Sequence, residues 1–337
     1  MAFLDAAEQD RLEASNYVDA VIASTMVEPY LEMSKLVKSL VNEFVTTPSD
    51  KITIRDLKYI IRNSYLRAFE TYSWDPLTWS QENVYGMLNR GVFDAASWIM
   101  EQAPAIQKEQ ILGKYFFQPD SFQPITDEMA ESLFNAIADS IDEDIDYYEN
   151  TFPITGELAA EKLKSSIDDD IAMGMFWLAN MGSWSMWNAY TNGIFDIISI
   201  LPTLIGGWMW WAILDSKTCA SCIVLHGTIF SATESLLDHP HGRCIPIPIV
   251  ASNYFTDNGI IQPPLDIETG EQWFSSQSAE TQSAILGPSG YRAWNSGAAS
   301  LSDFSETHDH FLYGSFKRQA SLSSILGEHK ARAYYGQ

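Results

Sequence analysis

The stretch from Leu214 to Cys244 reads LDSKTCASCIVLHGTIFSATESLLDHPHGRC and contains every cysteine of the 337-residue chain. Its cysteines are Cys219, Cys222 and Cys244, and its histidines are His226, His239 and His241. Zinc sites are commonly built from two close pairs of such ligands, because each tight turn directs two side chains at one centre. The spacing therefore predicts a small zinc-knuckle-like β element that a metal ion holds together.

Three thiolates and one imidazole complete a tetrahedral zinc site, and a closed site of this kind is structural. The predicted ligands are Cys219, Cys222, His239 and Cys244, with His241 as the alternate histidine. His226 is a third alternative because it follows Cys222 closely. Two other interpretations stay open: a redox pair, and buried cysteines that bind nothing. A redox pair belongs at the start of a helix, whereas an apparent hairpin strand, Gly227–Ser231, follows here. Asp215 and Thr218 are expected to organise the turn before Cys219, because short polar side chains bond nearby backbone groups.

The rest of the chain is predicted to be mainly helical, which makes the fold class α+β, mostly α. The predicted domains are a helical N-terminal domain (1–150), buried apolar helices (151–207), the Cys/His motif with a β-hairpin (208–250) and a helical C-terminal tail (251–337). Apolar residues recur at helical spacing from Tyr17 to Phe44. Shorter helices are predicted at Gln81–Gln102, Ile106–Gly113 and Thr126–Asp139. Trp208–Leu214 is short and aromatic, which predicts a strand.

The segment Ile171–Leu201 is rich in methionine and tryptophan at helical spacing, which predicts a helix buried on nearly all sides. The most apolar stretch, Ile194–Leu214, is interrupted by Asp196 and Pro202. A membrane-spanning helix needs about 20 continuous apolar residues. No contact with a membrane is therefore expected.

The net charge of −24 disfavours non-specific contact with nucleic acid and anionic lipid. Residues 311–337 depart from this trend, because Lys317, Arg318, Lys330 and Arg332 oppose a single Glu328. This tail is predicted to form a helix, Ser321–Ala333, whose charges face solvent. The alternative is a tail that contacts DNA through its basic and aromatic residues. Three cysteines are a poor number for a disulfide scaffold and favour a reducing compartment, and no secretion signal is visible.

The Cys/His stretch carries the pattern W-x4-D-x2-T-C-x2-C, then G-x2-F, then H-P-x2-R-C. The residues that form it are Trp210, Asp215, Thr218, Cys219, Cys222, Gly227, Phe230, His239, Pro240, Arg243 and Cys244. This pattern resembles the signature of phage Mu F-like minor head proteins. The family motif usually ends H-P-x-C-R-C, and Gly242 occupies the position of its first cysteine. A looser resemblance to the tail of related phage proteins extends the similar region to Trp208–Leu326.

The resemblance implies a virion structural protein, not an enzyme, that acts at the head or portal vertex. Head morphogenesis and DNA packaging or delivery are the implied processes, with portal, capsid or scaffold proteins as partners and phage DNA as a further partner through the tail. The implied location is the phage head, with host cytoplasm during assembly. The alternative is a metal-dependent hydrolase or nuclease of the head, with Asp215, His226 or Asp238 as base; it requires an open metal position. A Cys–His protease, with Cys219 or Cys222 and His226, is the other enzymatic alternative.

Overall fold

The computed structural model describes residues 2–27, 31, 34–36, 38–39, 42, 59, 80–115, 136, 139–140, 143, 146–147, 157–240, 242–262, 264–310 and 314–335. Helices dominate these residues and two small sheets accompany them, which confirms the predicted α+β, mostly α class. The predicted helix Thr126–Asp139 lies largely outside the described residues, as does most of the second half of Tyr17–Phe44. The alternate ligand His241 also lies outside them.

The helices are α1 (Ala2–Ile22), α2 (Tyr85–Gln102), α3 (Lys108–Leu112), α4 (Glu157–Ile200), α5 (Ala220–Leu225), α6 (Ser252–Asp257), α7 (Gly270–Ser276), α8 (Ala279–Asn295), α9 (Leu322–Leu326) and α10 (Glu328–Ala331). Single π-helical turns, Ala23–Val27 and Ser80–Val84, adjoin α1 and α2, and 3-10 turns occupy Leu301–Phe304 and Arg332–Tyr334. The strands are β1 (Ile205–Trp211), β2 (Ile229–Phe230), β3 (Ile245–Val250), β4 (Ser305–His310) and β5 (Gly314–Gln319). The helices predicted at Gln81–Gln102 and Ile106–Gly113 are confirmed with small shifts at their ends. A search of the described helices finds none with the length and apolar character of a membrane span.

Interleaved segments of the chain form two compact units. The first unit comprises Met1–Glu13, Leu88–Pro119 and Asn188–Gln337, and the second comprises Ala14–Met87 and Asp120–Trp187. In the second unit, Asp168 on α4 accepts a hydrogen bond from Ser34 and pairs with Lys38, each at 2.6 Å. The first unit contains the whole Cys/His stretch. The four consecutive domains derived from the sequence stay a prediction.

Two glycines allow α2 and α4 to approach closely within the first unit. A methyl group at Gly91 would lie 2.0 Å from the Tyr190 carbonyl oxygen, and one at Gly193 would lie 2.1 Å from that of Leu88. Beside this crossing, the Tyr190 hydroxyl donates a hydrogen bond to Asp94 at 2.8 Å. Burial there raises the pKa of the Asp94 carboxyl to about 6.

The three-stranded sheet has the order β2-β1-β3 and is antiparallel throughout. Trp208 of β1 is fully buried and stacks on Phe230 of β2, with ring centroids 4.6 Å apart. The Gln102 side chain covers the other edge of β3: its amide donates to the Pro248 carbonyl at 2.8 Å and accepts from the Val250 N–H at 3.1 Å. The edge of the sheet is therefore bonded as if a further strand lay beside it.

The C-terminal region packs on the C-x-x-C helix α5. Ala220 and Ile223 of α5 share a buried core with Phe274 and Phe304, among others. The sequence analysis missed the hairpin β4–β5, because the strand SETHDH is polar throughout and shows no alternation of apolar residues. The single helix predicted at Ser321–Ala333 is instead divided between α9 and α10 by Gly327, whose φ is +77°.

Candidate metal centre

The first ligand turn connects β1 to α5. Asp215 Oδ1 accepts hydrogen bonds from the Lys217 backbone N–H and the Thr218 hydroxyl, each at 2.9 Å. The Arg243 guanidinium donates to the same oxygen at 2.9 Å. Burial alone would raise the pKa of Asp215, but the hydrogen bonds from Arg243 and Thr218 hold it below its usual range. These contacts confirm that Asp215 and Thr218 organise the turn that carries Cys219.

The C-x-x-C pair lies at the start of a helix. Cys219 is the N-cap of α5, and its Sγ accepts a hydrogen bond from the Cys222 backbone N–H at 3.4 Å. The strand predicted at Gly227–Ser231 is present as β2 (Ile229–Phe230), but α5 lies between the C-x-x-C pair and this strand. Helix onset is a feature of redox pairs. However, β1 pairs antiparallel with both of its neighbours, so the pair does not belong to a βαβ unit.

The second ligand turn runs from Asp238 to Cys244, directly before β3. The Gly242 N–H donates to the His239 carbonyl at 2.7 Å and closes this turn. His239 Nδ1 lies 2.9 Å from the Pro240 carbonyl oxygen. Because a carbonyl can only accept, Nδ1 carries a proton, and Nε2 is the nitrogen that would bind a metal ion, which displaces the proton from it.

The two turns bring the four predicted ligands together. His239 Nε2 lies 3.3 Å from Cys219 Sγ and 3.4 Å from Cys222 Sγ. These three atoms lie within 4.8 Å of one another, and Cys222, Cys244 and Asp238 form a second group of the same size. Sulfur and nitrogen ligands of a tetrahedral zinc ion are about 3.5 Å apart, given the usual bond lengths. The cluster can therefore hold a metal ion.

His226 has a different role from the one weighed for it. Its Nδ1 accepts a hydrogen bond from the Ala212 N–H at 3.1 Å, and its ring centroid lies 4.4 Å from that of Trp211. Burial lowers the pKa of His226 to about 4, so it is neutral at neutral pH. Within the described residues, His239 belongs to a group of converging ligands and His226 does not. His226 is therefore a core histidine of the first unit.

The three thiols have different affinities for protons. Hydrogen bonding with Cys222, assisted by His239, lowers the pKa of Cys219 to about 4. The same contact with Cys219, together with Cys244, raises the pKa of Cys222 well above its ordinary value, and burial raises the pKa of Cys244. Burial alone would lower the pKa of His239, but Cys219 raises it to about 9. Only Cys219 ionises readily, so a cation is needed to stabilise further thiolates, as metal ions do.

Trp210 is a candidate hydrogen-bond donor for a thiolate at Cys244. The Trp210 side chain is 1% exposed, and its Nε1 has no hydrogen-bond partner among the described residues. This N–H lies beside Cys244 and favours a lower pKa for its thiol, against the larger effect of burial, which raises that pKa. Buried N–H groups without an acceptor are rare, and a charged acceptor strengthens a hydrogen bond. A metal-bound thiolate at Cys244 would give this N–H its acceptor.

The cavity at the cluster is small. Its volume is about 30 Å³, and its lining includes Lys217 and Arg243 as well as the ligand side chains. A cavity of this size holds about two water molecules. It has room for a metal ion.

Two residues outside the predicted ligand set position the site. Gln319 of β5 accepts a hydrogen bond from the Ala220 N–H at 3.1 Å and donates to the Ile285 carbonyl at 3.2 Å, so it ties α5 to the C-terminal region. No local pattern marks Gln319, because both of its hydrogen-bond partners are distant in sequence.

Asp238 contacts the cluster directly, although the sequence indicated it only as a candidate base. Its position next to His239 is the signal that could have identified it.

Comparisons of the chain with models of known protein families, with characterised proteins and with solved structures give no match. The geometry of the site and the motif residues are therefore the features that bear on function.

Proposed function

We propose that this chain is a phage minor head protein in which Cys219, Cys222, His239 and Cys244 bind one structural zinc ion. The observation that supports the metal site is that side chains from two separate turns form two overlapping groups: Cys222 belongs both to the group with Cys219 and His239 and to the group with Asp238 and Cys244. The head assignment is supported by the resemblance of the same residues to the Mu F-like motif. Zinc fits the donor set, because thiolates and imidazole are its usual ligands in closed sites.

The ion would crosslink two turns that lie at the same end of the sheet, because Trp211 of β1 pairs with Ile245 of β3. Cys219 and Cys222 belong to the turn after β1, whereas His239 and Cys244 belong to the turn before β3. A zinc crosslink stabilises the folded state, because the ligands must be brought together before the ion can bind.

We propose portal, capsid or scaffold proteins as the partners at the head or portal vertex. The strongly negative chain suits a basic protein surface better than DNA. The proposal that the tail binds DNA has less support, because two of its four cations, Lys317 and Arg318, already have partners within the hairpin. Arg318 pairs with Glu306 at 2.7 Å, and Lys317 Nζ donates to the Thr307 hydroxyl at 2.9 Å.

Two measurements test the proposal. Elemental analysis of protein purified without chelators is expected to give about one zinc per chain, and Cys222→Ser is expected to lose it. Quantitative mass spectrometry of purified phage particles is expected to find a few copies per particle, and none in particles assembled without the portal. Zinc-free wild-type protein would contradict the metal site, and absence from purified particles would contradict the head assignment.

The alternative is a metal-dependent nuclease or hydrolase of the head, which the carboxylate of Asp238 beside the cluster favours. Zinc-loaded protein incubated with linear DNA distinguishes the two functions. Cleavage that Asp238→Asn abolishes while zinc stays bound would favour the enzyme. Intact DNA together with stoichiometric zinc is the result expected for a structural site.

A further inference from the structure

We propose that Asp238 is a positioning residue for the metal centre: its carboxylate holds the backbone of His239 and Cys244, and Gly242 is required to leave room for it. This inference rests on the metal site proposed above and concerns how the second pair of ligands is held. Groups that hydrogen-bond to the residues around a metal ion orient its ligands and strengthen metal binding.

The two oxygens of Asp238 bind both ends of the second ligand turn. Oδ1 accepts the His239 backbone N–H at 2.9 Å, and Oδ2 accepts the Cys244 backbone N–H at 3.0 Å. One side chain therefore links two ligands that are separated by four residues. The side chain is 15% exposed, so water competes only weakly for these bonds.

Gly242 lies directly against this carboxylate. A Cβ at position 242 would lie 2.0–2.1 Å from three atoms of the Asp238 carboxyl group, which are the nearest atoms to it. The φ of Gly242 is not among the positive values, so backbone conformation does not by itself require glycine. The requirement arises from the space that Asp238 occupies.

His239 is better placed than Asp238 to act as the fourth ligand. Both Asp238 oxygens are engaged by backbone N–H groups, and Oδ1 lies 3.7 Å from Cys222 Sγ. His239 Nε2 instead lies within 3.4 Å of two sulfurs, and the other ring nitrogen, Nδ1, is the one that contacts the Pro240 carbonyl oxygen. The geometry therefore assigns ligation to His239 and support to Asp238.

The test is a set of zinc and cobalt titrations on the full chain under reducing conditions, with a chromophoric chelator as competitor. Asp238→Ala, which loses both hydrogen bonds, is expected to bind zinc about tenfold to hundredfold more weakly. Asp238→Asn is expected to lose less, because its amide oxygen can still accept one N–H. Asp266→Ala, which removes an exposed carboxylate elsewhere, controls for the change in net charge and is expected to bind like wild type.

A double-mutant cycle tests the role of Gly242. Gly242→Ala in the wild-type background is expected to weaken zinc binding about tenfold, because the new methyl group displaces the carboxylate. In the Asp238→Ala background the same change is expected to cost less than about threefold, because the colliding atoms are gone. Additive effects would overturn the proposal.

The cobalt spectrum separates support from ligation and needs no enzymatic readout. A positioning role predicts that Asp238→Ala and Asp238→Asn keep the intense thiolate-to-cobalt band of the wild type at saturating metal, whereas His239→Ala changes the ligand-field bands. If Asp238→Ala alters the bands as His239→Ala does, Asp238 is a ligand and the proposal is wrong. If wild type binds zinc and both Asp238 variants bind it equally well, only this inference fails; if wild type binds none, the metal site itself fails.

Discussion

Replacing Trp210 with phenylalanine removes one N–H group from the metal centre while keeping an aromatic side chain in the core. The buried indole N–H of Trp210 has no hydrogen-bond partner among the described residues and lies beside Cys244, whose thiolate it would favour. A metal-bound thiolate accepts this N–H strongly, whereas a neutral thiol accepts it weakly. The substitution should therefore weaken the metal-bound state more than the metal-free state.

The expected magnitude follows from that difference. Hydrogen bonds to charged groups contribute about 1.5–3 kcal/mol, and sulfur is a weaker acceptor than oxygen, so we expect about 1.4 kcal/mol, or roughly a tenfold loss of zinc affinity. The matched control is Trp208→Phe. Trp208 lies on the same strand and is equally buried, but its N–H donates to the Glu234 carbonyl at 2.9 Å, not to a ligand.

The assay is a competition titration of zinc against a chromophoric chelator, with each protein fully reduced. Both variants should lose some stability, because each leaves a small cavity. Only Trp210→Phe should lose zinc affinity. Equal dissociation constants for the two variants would refute the assigned hydrogen bond, as would a loss confined to Trp208→Phe.

Three further predictions concern stability. Gly91→Ala is expected to destabilise the protein by about 1–3 kcal/mol or more, because its methyl group would overlap the Tyr190 carbonyl. Gly86→Ala on the same helix has open space around the new methyl group and should stabilise the protein by about 0.5–1 kcal/mol. Urea unfolding of both variants measures this contrast, and a change of the same sign in both would contradict it. Burial lowers the pKa of His226 to about 4 in the folded protein, whereas an unfolded histidine has a pKa of about 6.5. As the pH falls, the unfolded chain therefore binds a proton at His226 before the folded chain does. The free energy of unfolding should decrease by about 3 kcal/mol between about pH 6.5 and pH 4 for this reason. In metal-free protein, His226→Gln should reduce this pH dependence and the exposed-site control His329→Gln should not; identical profiles would show that His226 does not cause it. Free zinc at 100 times its dissociation constant should raise the free energy of unfolding by about 2.7 kcal/mol, and Cys222→Ser should abolish that gain; a zinc-independent unfolding midpoint in wild type would exclude a structural site.

Local patterns in the sequence were sufficient for the fold class and for a Cys/His cluster that could hold a metal ion. The helix that ends near Leu201 could be predicted because its apolar residues recur at helical spacing along the chain. The aromatic strand after it could be predicted because turn residues lie on both sides of it. The predicted ligands were found because each pair lies within a few residues, so one tight turn brings its members together. Two short turns are local structures, and local structures can be read from spacing.

Contacts between distant segments were decided only by the tertiary structure. The hairpin β4–β5 could not be predicted because its strand β4 shows no alternation of apolar residues. The hairpin instead packs against α5, and its Gln319 bonds the backbone of Ala220, which lies 99 residues away. The requirement for glycine at positions 91 and 242 likewise arises from atoms that fold against them, not from their own backbone conformation. The sequence by itself therefore determined which side chains could bind a metal ion. The tertiary structure decided that His239 faces the sulfurs and that Asp238 holds its turn, because both depend on the position of the second turn relative to the first.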